Sequence, residues 1–238
     1  MRQIRIQSFV AATRATVWDA LLLRPEVVLD ALPEPRWPEP RVEVAPASLT
    51  VPWPHTTATG APTEVVVELD EVGGGTRVDL RHRGLGEDPA WDEAIAGYFP
   101  AWLQALASLG VLVESGVDPR ASAPLRGLER YFASTEVPAG ADAAWRSLTD
   151  PHVLERWSEG VLDGAVPREA LEGRFLRLAL PAGAGGPGAA PSAPRELVLL
   201  LRRTPRGTHL ALAEYGVSGR GASTRWPPMF ERLARFLG

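Results

Sequence analysis

Few residues in this chain are of a type and spacing that could do chemistry. The four histidines, His55, His82, His152 and His209, share no paired spacing such as HxxxH, and no cysteine joins them. No metal site is therefore ready-made and no cofactor is expected. Serines are scattered without the elbow of a hydrolytic nucleophile, and no catalytic residue is assigned. Gly73-Gly74-Gly75-Thr76 and Gly183-Ala184-Gly185-Gly186 fall in a hairpin turn and a loose loop. Neither leads from a strand into a helix, so neither cradles a phosphate. One pair of positions remains. His82 closes an alternation in which Val78, Leu80 and His82 share a strand face, and the equivalent position in the second half is Glu214. A polar group there can orient a ligand's polar end at a cavity mouth, act as a base, or simply meet solvent at a strand end. His55, after Trp53-Pro54, reads as a turn residue exposed to solvent.

The element that must face His82 is a helix. Between Trp91 and Glu114, Ile95, Tyr98, Phe99, Trp102, Leu106, Leu109 and Val113 recur at steps of three and four, one apolar stripe. Asp88-Pro89 is a helix start and Gly116 a stop. Pro100 removes the bond to the carbonyl of Ala96, which predicts a kink near Gly97 or a fresh helix start there, with that end held away from the sheet. The chain before the helix reads as strands at 2–10, 42–46, 48–53, 63–71 and 76–83, with two short helical stretches after the first and a proline run at 33–40. Val65, Val67 and Leu69 form the inward face of the fourth strand. A sheet wrapped round the helix would bring Trp53, Val67, Val78, Leu80, His82, Ile95, Tyr98, Phe99 and Trp102 together as a candidate ligand-binding set. The same aromatic stripe also serves as plain core, as do Trp18 and Trp145 on the short helices.

The pattern occurs twice. Phe99-Pro100 through Leu106-Ala107 answers to Trp226-Pro227 through Leu233-Ala234 at an offset of 127. Gly75-Thr76 answers to Gly207-Thr208, and Val10 and Trp18 answer to Val137 and Trp145. The second copy reads as a strand at 130–137, short helices at 141–148 and 153–157, strands at 172–180, 195–203 and 207–216, and a final helix of 12 residues from Trp226. The low-complexity run 181–194 reads as a loop. The chain is thus expected to hold copy one at 1–118, a linker at 119–127 and copy two at 128–238.

With 238 residues, each copy is long enough for a core of its own. All 25 basic residues are arginine, and neither lysine nor asparagine occurs, which points to GC-rich coding and a bacterial source. Residues 1–120 carry 10 arginines against 17 acids and residues 121–238 carry 15 against 12, so the halves hold −7 and +3 of a total of −4. Opposite signs favour the halves packing on each other. No dense basic patch points to nucleic acid. No uninterrupted apolar run reaches the ~20 residues of a membrane span, and a signal-peptide core is lacking, so a cytoplasmic protein is expected.

The order strand, two short helices, antiparallel strands, long C-terminal helix is the helix-grip arrangement, an α+β fold. Four features carry a resemblance to the START-like (SRPBCC) superfamily, most closely the branch of the heat-shock-protein ATPase activator homologues. They are Val10-x7-Trp18 with Val137-x7-Trp145, Asp150-Pro151-x-x-Leu154-x-x-Trp157, Val42-Glu43-Val44-x-Pro46 with Trp53, and Gly-Thr-x-hydrophobic-x-Leu with a later glycine. The first copy departs from the pattern with Ala31 where the second has Trp157. The resemblance implies an apolar or amphipathic ligand held between sheet and helix, mainly in copy one. Non-catalytic binding is the leading reading; the alternatives are a cyclase- or hydrolase-type enzyme, for which His82 would be the acid–base residue, and a co-chaperone-like scaffold with no cavity.

Overall fold

The computed structural model describes residues 2–29, 41–53, 63–119, 130–181, 195–216 and 219–238. The proline run 33–40, His55, linker residues 120–127 and loop residues 182–194 lie outside them. The chain divides into two compact units, Met1–Asp118 and Pro119–Gly238, each an antiparallel sheet wrapped round its C-terminal helix.

The first unit runs β1 (Arg2–Val10), α1 (Arg14–Leu23), α2 (Pro25–Leu29), β2 (Arg41–Val44), β3 (Ser48–Trp53), β4 (Thr63–Val72), β5 (Gly75–Leu85) and α3 (Ala90–Ser115). Its five strands are ordered β1-β5-β4-β3-β2, and every neighbouring pair is antiparallel. Period-two alternation turns Ile4, Ile6, Val51, Val65, Val67, Val78 and Leu80 onto the face that meets Trp102, Leu106 and Leu109 of α3. Asp88 Oδ1 accepts from the N–H of Ala90 at 2.8 Å, and Gly116, left-handed at φ 73°, closes the other end through its N–H to Leu112 O. The helix continues through Pro100. It is the one described helix long and apolar enough to cross a membrane, yet 56% of that window is buried within the protein.

The second unit repeats the order: β6 (Arg130–Val137), α4 (Ala141–Thr149), α5 (Pro151–Ser158), β7 (Val166–Leu171), β8 (Phe175–Leu180), β9 (Arg195–Thr204), β10 (Gly207–Tyr215) and α6 (Gly219–Leu237). The sheet order β6-β10-β9-β8-β7 matches the first strand for strand. Two corrections apply. Strand β7 escapes the sequence pattern because it is a mostly exposed edge, broken in register beside Pro167, with no apolar alternation. Helix α6 has 19 residues, not 12, because Pro227 and Pro228 lie inside it instead of at its start.

The Gly-Thr pairs have a definite mechanical role. Thr76 Oγ1 donates to Ala12 O at 2.7 Å and Thr208 Oγ1 to Ala139 O at 2.8 Å, tying the last strand of each sheet to the turn that leaves its first strand. A Cβ on Gly75 would stand 2.5 Å from Val10 O, and one on Gly207 would stand 2.1 Å from Val137 O. Only glycine lets the strands close there.

The outer faces of the two sheets differ. In the first unit Asp79 is covered by Arg5, Gln7 and Arg81. Burial pushes its carboxyl up, but those bonds outweigh it and hold the group well below the usual carboxylate range. In the second unit Phe175, Val198, Leu200, Ala211 and Ala213 occupy that face and are buried, so the sheet is apolar on both sides. Beside them His209 faces Arg202 and Glu136 across the strands. Burial first, and Arg202 second, lower its pKa from 6.5 to about 4, against the pull of Glu136.

Candidate functional site

In the first unit the end of β5, the start of β4 and the middle of α3 converge on His82. The imidazole is wholly buried, so it stands neither at a cavity mouth nor in solvent. Its Nδ1 accepts from Trp102 Nε1 at 3.2 Å, and its Nε2 lies 2.9 Å from Thr63 Oγ1. Indole can only donate, so Nδ1 carries no proton, and the neutral ring donates from Nε2 to the threonine. Aromatic rings pack edge-on around it: Tyr98 at 4.7 Å, Trp53 at 5.9 Å and Trp102 at 6.0 Å between centroids, with Trp53 and Trp102 4.9 Å apart.

The predicted set is brought together in part. Trp53, Val67, Val78, Leu80, His82 and Trp102 are buried in one cluster, and Ile95 and Tyr98 lie half-buried at its edge. Phe99 does not join them: it is 44% exposed. One residue is a turn of 100° on a helix, and with Tyr98 on the stripe its neighbour points away. Thr63 was not singled out from the sequence, although β4 begins with it. Gln104 was also missed. It is wholly buried on α3, and neither amide atom has a protein partner.

At the corresponding place in the second unit the cluster is charged. Glu214 is buried and accepts from Arg195, Arg225 and Trp226 Nε1, the last at 2.7 Å. The offset of 132 that pairs Thr76 with Thr208 also pairs His82 with Glu214 and Thr63 with Arg195, and this offset was the signal that could have found Thr63 and Arg195. The helices follow a different register from the one the prolines indicate. Trp226, not Met229, plays the part of Trp102, each donating its indole N–H to the polar side chain near its strand's end. Trp102, Ala105, Leu106 and Leu109 are buried, and so are Trp226, Met229, Phe230 and Leu233, an offset of 124. Pairing Pro100 with Pro227 would instead match exposed Phe99 to buried Trp226.

Among the described residues no three histidine, aspartate or glutamate side chains gather as a metal-holding group. No family model matches the chain, and no curated protein matches it. Several solved structures are similar. The Aha1 dimer from Colwellia psychrerythraea is 15% identical and covers 49% of this chain and 98% of its own, with a TM-score of 0.41. DynU16, from the dynemicin biosynthetic locus, is 16% identical over 99% of this chain and 95% of its own, with a TM-score of 0.37. The di-domain ARO/CYC BexL, from the BE-7585A biosynthetic pathway, is 16% identical over 100% of this chain and 99% of its own, with a TM-score of 0.32.

Proposed function

We propose that the first unit is a non-catalytic binding module for a small apolar or amphipathic molecule seated against the N-terminal half of α3. One observation carries this reading: burial changes along the sheet-facing stripe. From Trp102 through Leu106 to Leu109 the stripe is closed, whereas Tyr98, whose ring lies 4.7 Å from that of His82, and Ile95 are only half-buried at the cluster's edge. Half-buried aromatic and aliphatic groups next to a floor of buried aromatic and aliphatic side chains are what a small apolar ligand covers with gain. The engagement of both His82 nitrogens supports binding over acid–base catalysis, because a base must present a nitrogen to its substrate.

Nile red, a neutral apolar dye, tests the reading by energy transfer from tryptophan. Saturable binding is expected, weakened about fivefold or more by Ile95→Ser and by Tyr98→Ala, each of which removes apolar contact worth ~1–2 kcal/mol. Unchanged affinity in both variants refutes this site. An absence of saturable binding leaves the scaffold reading in its place.

A further inference from the structure

The second unit holds ions where the first holds neutral rings. One carboxylate oxygen of Glu214 accepts from Arg195 Nη2, and the other accepts from Arg225 Nη2 and Trp226 Nε1. Two guanidinium groups against one carboxylate leave one positive charge in excess, and arginine cannot shed its proton to remove it. The donors are not used up either. Arg195 Nε and Nη1 and Arg225 Nε are shut off from solvent without an acceptor. Arg195 is 7% exposed, so these are idle N–H groups on a buried cation. A triad kept for stability alone would be expected to satisfy such donors, since a buried ion pair with unspent donors is a poor substitute for apolar packing. Leu197 pairs with Glu214 across the ladder, Leu212 precedes it on the same face, and Phe230 lies 6.0 Å from the Trp226 ring. Arg225, with 17% of its side chain exposed, gives the cluster a route to solvent.

We propose that Arg195, Arg225 and Trp226, held by Glu214, form a binding site for a monovalent organic acid. Its carboxylate accepts the idle N–H groups and its apolar tail lies along Leu197, Leu212 and Phe230. The excess of one charge selects a carboxylate over a dianionic phosphate monoester, which would overcompensate it. This inference rests on the second unit alone and stands or falls apart from the reading of the first.

Calorimetric titration of the whole chain carrying Tyr98→Ala, which disables the proposed first-unit site, with octanoate, octanol and octyl phosphate tests it. Octanoate is expected to bind one to one, with octanol and octyl phosphate at least about tenfold weaker. Arg195→Met should abolish octanoate binding. Arg225→Met, at the partly exposed rim, should weaken it at least about tenfold and carries the test if the first variant does not fold. Glu214→Gln removes one of the two acceptor oxygens and uncovers another positive charge, so it should tighten binding. The proposal is overturned if octanoate does not bind, if octanol or octyl phosphate binds as well, or if Arg225→Met binds octanoate like the parent chain.

Discussion

Leu106 and Gln104 stand two residues apart on α3, both wholly enclosed, and they make opposite demands on their surroundings. Leu106→Ala removes a side chain from the sheet–helix contact and leaves a cavity, so chemical denaturation should show a loss of ~2–5 kcal/mol. Gln104 carries an amide with no protein partner at either atom, so Gln104→Met, which keeps the length and drops the unpaired groups, should be neutral or stabilising by ~1 kcal/mol. A loss of more than ~1 kcal/mol would mean that the amide is satisfied by water or a ligand. The inward position of Leu106 was plain from the three-and-four spacing. That of Gln104 was not, because periodicity marks one apolar stripe and cannot tell when the back of a helix is covered too. Phe99 failed for the converse reason: two adjacent aromatics cannot share one narrow stripe.

Among the elements, the Gly-Thr clamp makes the sharpest demand. Thr76→Val and Thr208→Val keep the shape of the side chain and leave one partly buried carbonyl each, Ala12 O or Ala139 O, without this donor. Each should lower unfolding free energy by ~1–3 kcal/mol, and a difference between them larger than that range would show that the two clamps are not equivalent. These motifs were legible because backbone geometry dictates the residue: nothing but glycine fits against Val10 O and Val137 O. Strand β7 and the first turns of α6 were not. An exposed edge strand has no face to alternate, and paired prolines inside a helix look like its beginning.

At the scale of the whole molecule, acid should act on the second unit through His209. Its folded-state pKa is near 4, below its ordinary 6.5, so the unfolded chain takes up the proton first. The stability this residue supports is therefore full above pH 6.5 and is lost as pH falls from there toward 4. His209→Gln should flatten the dependence of unfolding free energy on pH across that window, a difference on the order of 1–3 kcal/mol between the two chains near its lower edge. A parallel pair of curves would show that His209 is solvated in the fold. The doubling of the fold was itself readable from three landmarks in the same order, but the match between the final helices was misaligned by a shared proline that is buried in one copy and exposed in the other. That slip has a genetic consequence. The copies correspond at offsets of 127 in the first strand, 132 in the hairpin and 124 in the last helix, so recombination between them is in frame with the structure only where both break points fall within one of these blocks. A crossover guided by the matching prolines would rotate every later side chain by three residues, close to a full turn. It would set Met229 where Trp102 meets His82, trading an indole that donates to the imidazole for a thioether that cannot donate.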